Sequence, residues 1–198
     1  MTYDKATWKV NQTDLEGRKE AISNVTLLRA AADQLLELVK IETKLLPSKN
    51  ASRIWIGGVG QGSMLSLSAF LRYVGDDRLG GVVGLLGYVP LPVGMMETST
   101  NSTLQQSRTP LLLYNGVTDH LCPAIFVRDT YLHFDSVYEE RKYNLEQHMQ
   151  LGLGHDTSPE MLAAAKRFFT TTMSTDPNAA HDKELADKEA KEKEKKTP

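Results

Sequence analysis

The chain has 198 residues, a hydrophobic fraction of 40% and a formal net charge of −2 at pH 7. This length favours one domain with its own core, and the charge gives no general attraction to nucleic acid or to an anionic membrane. The sequence holds no uninterrupted apolar stretch of the ~18 residues that a membrane span needs, and its start lacks the apolar segment of a signal peptide. We therefore expect a cytoplasmic protein, with an organelle as the alternative, that has no transmembrane segment and binds no nucleic acid.

Apolar periodicity predicts the elements of the first half of the chain, after an extension over residues 1–14. From Leu15 to Leu46 apolar side chains recur at helical spacing, which predicts a long amphipathic helix that Pro47 ends. A short buried strand, a helix and a second strand are then predicted in chain order at Arg53 to Gly57, Gln61 to Tyr73 and Gly81 to Leu86.

The second half continues the alternation of strands and helices. Residues 87–108 hold two prolines, several Ser and Thr residues and two adjacent methionines, which predicts a loop. The later segments predict a strand, a helix, an alternating strand and a final helix capped by Ser158, at Leu111 to Tyr114, Ala124 to Tyr138, Lys142 to Met149 and Pro159 to about Thr172. We therefore expect an α/β domain over residues 15–173, with a mostly parallel sheet and helices on both faces.

The C-terminal segment, residues 174–198, differs sharply in composition from this domain. It consists mainly of Lys, Glu, Asp and Ala, and Leu185 is its last large apolar residue. Such a segment cannot bury enough apolar surface to join a core. We predict a charged tail that is mobile or docked on a partner.

The most informative motif is a glycine-rich turn between the first predicted strand and the helix after it. The turn reads Gly58-Val59-Gly60-Gln61-Gly62, and G-x-S-x-G at such a position is the nucleophile elbow of serine hydrolases. Gly60 stands where that motif has its serine. Two later segments carry Asp119 and His155, which completes the order of elbow, acid and histidine that α/β-hydrolases use.

With these residues the chain resembles the acyl-protein thioesterases and small carboxylesterases of the α/β-hydrolase superfamily, whose elbow reads G-F-S-Q-G-G. The resemblance covers about residues 8 to 170 and implies a truncated α/β-hydrolase fold. It implies that Asp119 is the triad acid, His155 the triad base and Gly60 the vacated nucleophile position. It also implies that the N–H of Gln61 remains as an oxyanion donor. The sequence shows no phosphate loop, zinc motif or dinucleotide fingerprint, so we expect no cofactor and no metal ion.

Two departures from the family pattern argue against activity. Glycine carries no oxygen that could attack an acyl carbon, so no acyl-enzyme can form at Gly60. Nothing before Trp8 matches the family's H-G-x-G loop, which supplies the second oxyanion donor, and the loss of one donor costs ~10²–10³ in rate. Ser63 lies one helical turn past the elbow, about 5 Å along the axis, and we expect a packing residue there rather than a substitute nucleophile.

The predicted strands form only half of the family's sheet and leave the edge near Ile54 to Ile56 without a neighbour. An apolar unpaired edge invites association, so we expect a second copy or a protein partner to cover it unless residues 1–14 do so. The single cysteine, Cys122, excludes an internal disulfide, and we expect it to be a small buried side chain. Met95 and Met96 would suit the lining of an acyl-chain pocket, and ordinary packing explains them equally well.

The family resemblance and the two departures from the family pattern together predict a non-catalytic relative of the thioesterases. Such a pseudoenzyme would act as a structural or interaction subunit. One alternative is an active serine hydrolase of esters or thioesters, acting on lipidated proteins or lysophospholipids. Another is a module that binds acyl chains without chemistry. The first alternative requires a serine hydroxyl at the elbow tip, and the second requires an apolar pocket.

Overall fold

The computed structural model describes residues 25–89, 100–122 and 124–174. The helices of these ranges are α1 (Val25–Leu45), α2 (Gln61–Arg72), α3 (Thr100–Arg108), α4 (Ala124–Val137) and α5 (Pro159–Ser174). The strands are β1 (Trp55–Val59), β2 (Gly81–Leu85), β3 (Leu111–Gly116) and β4 (Leu145–Gln150). None of these helices is long and apolar enough to cross a bilayer.

The four strands form one parallel sheet in the order β1-β2-β3-β4. The register places Gly57 beside Val83, Val83 beside Leu112 and Leu112 beside Glu146. Strands β2 and β3 are buried along their whole length, as parallel strands covered on both faces should be. Within the described ranges β1 and β4 are the outer strands, and both are only partly buried.

Helices cover both faces of the sheet and enclose two separate apolar cores. The larger core lies between the sheet and helices α1, α2 and α4, and it contains Leu113, Phe70 and Phe134. The smaller core lies under α5, and it contains Leu112 and Phe168. Neighbouring residues of β3 thus point into opposite cores, as the alternation of a strand requires. The predicted α/β fold, with a mostly parallel sheet and helices on both faces, is confirmed.

One prediction about the connections is wrong, because the segment predicted as a loop over residues 87–108 contains α3. This helix has few apolar residues, and polar contacts with α2 hold its last turn in place. Gln106 is buried, and its Nε2 donates to the carbonyl oxygens of Phe70 at 3.4 Å and Leu71 at 3.0 Å. These carbonyls belong to the last turn of α2, where a helix leaves acceptors unsatisfied, although that of Phe70 also accepts from the N–H of Tyr73 at 3.1 Å. Apolar periodicity gives no signal for such a helix.

Smaller differences concern the ends of elements. The strand predicted from Lys142 starts at Leu145, because Lys142–Asn144 form a 3₁₀ turn, and β4 is half-buried throughout without alternation. The start of the helix predicted from Leu15, the predicted N-terminal extension, Met95 with Met96, and all but the first residue of the predicted tail lie outside the described residues.

Two surfaces on the β1 side of the domain lack cover in the described ranges. The outer edge of β1 has no neighbouring strand there, and Val59 at its end is half exposed. Helix α1 turns one face into the larger core through Ala32 and Val39. A second face of α1 carries exposed apolar side chains, the α1 apolar row, which consists of Leu27, Leu38, Ile41 and Leu45.

Candidate functional site

The turn between β1 and α2 has the sharp bend of a nucleophile elbow. Gly60, at its tip, has φ 57° and ψ −119°, a conformation that side-chain-bearing residues adopt only under strain. The N–H of Gly60 donates to the carbonyl of Leu85 at 2.9 Å, and its own carbonyl accepts from the N–H of Met64 at 3.1 Å. These two bonds tie the tip to β2 and to the first turn of α2, so the bend is built into the backbone.

The glycine before the tip lets the strand and the helix touch. A Cβ placed on Gly58 would lie 2.3 Å from the carbonyl carbon of Gly62, which is far inside any contact distance. A Cβ on Gly62, in contrast, would meet nothing within 4 Å. Gly58 is therefore required for close passage of the two backbones, which is the role of the first glycine in the G-x-S-x-G pattern.

A buried carboxylate faces the elbow from the loop after β3. The side chain of Asp119 is 1% exposed, and its Oδ1 accepts from the backbone N–H groups of Leu121 at 2.8 Å and Cys122 at 3.1 Å. Its Oδ2 lies 2.8 Å from Nδ1 of His155. Because a carboxylate only accepts, this contact assigns the ring proton to Nδ1 and leaves the Nε2 lone pair at the opposite end of the imidazole.

The imidazole of His155 points that lone pair at the elbow tip. A Cβ placed on Gly60 would lie 3.2 Å from Nε2, so a side-chain hydroxyl at this position would come within hydrogen-bonding reach of the ring. Gln61 begins α2 directly after the tip, where backbone N–H groups have no partner inside the helix. The structure thus brings together all four residues that the sequence singled out: Gly60, Gln61, Asp119 and His155.

Ser63 does not reach this site. Its side chain is fully buried, and its Oγ is a buried oxygen without a hydrogen-bond partner. The oxygen lies 2.9 Å from where a Cβ of Gly84 would be and 2.5 Å from where a Cβ of Gly87 would be. It therefore faces β2 and the segment after it, beneath the helix. The placement agrees with a small packing residue and gives no attacking hydroxyl at the tip.

Cys122 lies beside the imidazole, a contact that the sequence analysis did not predict. It is buried as expected, and its Sγ donates to the carbonyl of Leu86 at 3.1 Å and lies 3.8 Å from Nδ1 of His155. Burial, and after it the charge of Asp119, raises the pKa of the thiol well above its ordinary value. A protonated thiol on the Nδ1 side of the ring is no replacement nucleophile. The spacing Asp119-x-x-Cys122 was the signal in the sequence that could have revealed this contact.

A parallel sheet with an elbow after one strand, an acid after another and a histidine before the last helix defines an α/β-hydrolase fold. Residues 13–173 match the model of the phospholipase/carboxylesterase family. The chain belongs to that family.

The similar proteins include several named acyl-protein thioesterases. The chain is 32% identical over 150 residues to acyl-protein thioesterase 1 of Yarrowia lipolytica, covering 72% of this chain and 63% of that protein. It is 32% identical over 123 residues to acyl-protein thioesterase 1 homolog 1 of Dictyostelium discoideum, covering 62% of this chain and 50% of that protein. The chain thus spans about half to two thirds of the length of these relatives.

Solved structures show the same fold at low sequence identity. Acyl-protein thioesterase 2 of Zea mays superimposes with a TM-score of 0.53 and 20% identity, covering 71% of this chain and 64% of that one. SOBER1 of Arabidopsis thaliana superimposes with a TM-score of 0.51 and 22% identity, covering 72% and 64% of the two chains. These similarities concern the fold alone.

Proposed function

We propose that this protein is a non-catalytic member of the phospholipase/carboxylesterase family that acts as a structural or interaction subunit. One observation carries the proposal: Gly60 occupies the elbow tip, and Nε2 of His155 lies 3.2 Å from where a Cβ on Gly60 would be. Hydrolysis by this site requires a hydroxyl at the tip, because the histidine must remove a proton from the attacking oxygen.

In this proposal the other site residues are remnants of the catalytic machinery. Asp119 is the former acid, since its buried carboxylate orients the imidazole through Nδ1. His155 is the former base, with a lone pair directed at the tip. The N–H of Gln61 is the former oxyanion donor at the start of α2. In the absence of a nucleophile, the orientation of the ring has no catalytic consequence.

The interaction role draws on two surfaces that nothing covers within the described ranges, the outer edge of β1 and the α1 apolar row. The edge of β1 offers backbone groups to an added strand, which is a common mode of protein association. In the α1 apolar row, Leu38, Ile41 and Leu45 follow at intervals of three and four residues on one helix face. Their exposures of 55%, 45% and 72% are high for consecutive apolar residues on one face. A protein partner or a second copy would bury both surfaces.

An activity-based probe tests the loss of chemistry. A fluorophosphonate labels only an activated hydroxyl, so we expect no labelling of the purified protein. Gly60→Ser is the positive control, because it places a hydroxyl opposite Nε2, and this label should disappear in the double variant Gly60→Ser/His155→Ala. Labelling of the unmodified protein that His155→Ala abolishes would contradict the proposal and support an active ester or thioester hydrolase.

A pull-down combined with sedimentation tests the interaction role. We expect a stoichiometric complex, homomeric or with another protein, that Leu38→Asp weakens about tenfold or more. Leu162→Asp is the matched control, because Leu162 is equally exposed at 55% but lies on α5, on the other face of the sheet. A monomer at all concentrations, without a partner and with fast hydrogen exchange along β1, would contradict this role. A co-purifying fatty acyl ligand would support the acyl-binding alternative instead.

A further inference from the structure

Helix α1 carries a heptad repeat on a face that is largely exposed. The α1 apolar row continues through Ala31, which is half-buried, and Gln34, which is exposed. At ~100° per residue these side chains fall within a stripe of about 80°. Such a narrow stripe is the surface that a second helix packs against in a coiled coil. We call it the α1 seam, and its members alternate at intervals of four and three residues: Leu27, Ala31, Gln34, Leu38, Ile41 and Leu45.

The α1 seam is separate from the face of the helix that belongs to the domain core. Ala32 and Val39 lie in the larger core, about a third of a turn around the helix from the seam. Beyond the far border of that core face, Asp33 forms an ion pair with Arg72 of α2 at 2.6 Å. One side of α1 is thus anchored to the domain, and the seam is left as a second apolar surface.

Charged residues beside the seam decide what can pack on it. With Leu38 at position a of the heptad, Glu37 and Lys44 occupy position g, and both are exposed. The exposed Glu42 occupies position e. Two antiparallel helices bring position g next to position g, so Glu37 of each copy would meet Lys44 of the other. Two parallel helices bring position g next to position e, so Glu37 would meet Glu42 and repel it. The charges therefore favour antiparallel pairing of α1 with a second copy of itself.

This pairing also sets the contacts along the seam. With Glu37 opposite Lys44, Leu38 of each copy lies against Ile41 of the other, and these apolar contacts form the centre. Leu45 lies against Gln34 at either end, where the amide can still reach water. The pairing covers the most exposed apolar side chains of the C-terminal half of α1.

We propose that this protein forms a two-fold dimer through antiparallel pairing of α1. The inference rests on the proposed interaction role and names the partner, which is a second copy of this chain. Two-fold symmetry makes every contact occur twice, so one helix face supplies both sides of the interface. Because the seam is short, the interface is small, and the dimer should dissociate on dilution.

Sedimentation equilibrium of the full-length chain tests the self-association. We expect the mass to rise reversibly with concentration from 22.0 kDa toward twice that value. Glu37→Lys places a lysine opposite Lys44, and Lys44→Glu places a glutamate opposite Glu37, in each case twice per dimer. Either variant alone should therefore raise the dissociation constant of the dimer about fivefold or more.

Mixing the two variants tests the antiparallel register directly. In a mixed dimer one copy carries lysine at both g positions and the other carries glutamate, so the attraction is restored. We expect the equimolar mixture to associate about as tightly as the wild type. Lys166→Glu is the matched control, because it reverses an exposed charge on α5 and should leave the dimer unchanged. Circular dichroism confirms that each variant is folded.

The proposal is overturned if the wild type stays a monomer at all concentrations, or if the mixture associates no better than each variant alone. A dimer that Glu37→Lys strengthens would also overturn it, because parallel helices place this residue beside Glu42. A monomer that Leu38→Asp unfolds would mean that the chain itself covers the seam, which overturns the dimer.

These outcomes are distinct from a failure of the proposed function. A stoichiometric complex with a different protein, without a dimer, overturns the self-pairing and leaves the interaction role intact. Fluorophosphonate labelling that His155→Ala abolishes contradicts the non-catalytic role, whatever the sedimentation result.

Discussion

The two sides of the candidate site differ in what they share with the nucleophile-elbow pattern of α/β-hydrolases. On the elbow side the backbone makes the sharp bend of the pattern, and Gly60 at the tip, with φ 57°, carries no side-chain oxygen. On the opposite side the side chains have the arrangement of the pattern, with Asp119 buried against its backbone donors and His155 directed at the tip. The elbow side thus has the backbone geometry of the pattern, and the opposite side has its acidic and basic side chains.

Backbone contacts rather than a side chain at the tip hold the bend on the elbow side. The bend is held by backbone hydrogen bonds to β2 and α2 and by the close approach of Gly58 to Gly62. A side chain at the tip would add strain to this bend. The arrangement of Asp119 and His155, in contrast, depends on hydrogen bonds that only these side chains make. The two sides should therefore respond differently to substitution.

The largest effect is expected on the elbow side. Gly58→Ala forces a Cβ against backbone atoms of Gly62 that cannot move aside, so the free energy of unfolding should fall by about 3 kcal/mol or more. Gly62→Ala is the control, because its Cβ meets open space, and a helical alanine costs no stability relative to glycine. Urea unfolding measures the free energy of unfolding of both variants. Equal stability of the two would show that the elbow is looser than its geometry indicates.

A smaller effect is expected on the opposite side. Asp119→Ala leaves the N–H groups of Leu121 and Cys122 without their acceptor, which should cost about 1–3 kcal/mol of unfolding free energy. Asp119→Asn keeps an oxygen for these donors and should lose less. Chemical denaturation of the pair measures the difference. If both variants lose the same amount, the contact with His155 rather than the backbone donors holds this loop.

The tip itself should tolerate a side chain at moderate cost. Gly60→Ala and Gly60→Ser both place a Cβ in the strained conformation, so each should lose about 1–3 kcal/mol of stability. The serine variant alone can offset part of this loss, because its hydroxyl can donate to Nε2 of His155. If thermal unfolding shows that Gly60→Ala is more stable than Gly60→Ser, Nε2 of His155 does not accept a hydrogen bond from this position.

The smallest effect is expected far from both sides, on β4. The hydrogen bond from His148, and after it contacts with Arg167, lowers the pKa of the Glu146 carboxyl below its usual 4.5. A carboxyl with a lowered pKa in the folded state stabilises the protein above its unfolded pKa, and the contribution is lost as the pH falls through the lowered value. Glu146→Gln should therefore cost under about 1 kcal/mol at pH 7 and nothing in strong acid.

Denaturant unfolding at pH 7 and in strong acid measures this change, with the exposed Glu140→Gln as control. A stability difference between Glu146→Gln and the wild type that persists unchanged into strong acid would mean that packing, not charge, accounts for it.

Local sequence patterns predicted most of the fold and the outline of the site. Strands β1, β2 and β3 and helices α1, α2, α4 and α5 were predictable because apolar residues form short runs or recur at helix spacing along the chain. Strand β4 was predicted as an alternating strand, and its half-buried side chains do not alternate. The elbow was predictable because a tight strand-to-helix turn needs glycine at particular positions. The order of Gly60, Asp119 and His155 along the chain was enough to place all three at one end of the sheet.

Only the tertiary structure decided the contacts that join distant segments. Gln106 joins helix α3 to the end of α2 by a polar contact, and such a contact leaves no periodic pattern in the sequence. Cys122 lies near His155 because two loops pack together, although 33 residues separate them along the chain. The sequence by itself determined that the elbow tip carries no hydroxyl, since that depends on the identity of one residue. Distances between side chains depend on how the whole sheet assembles, and no local pattern encodes them.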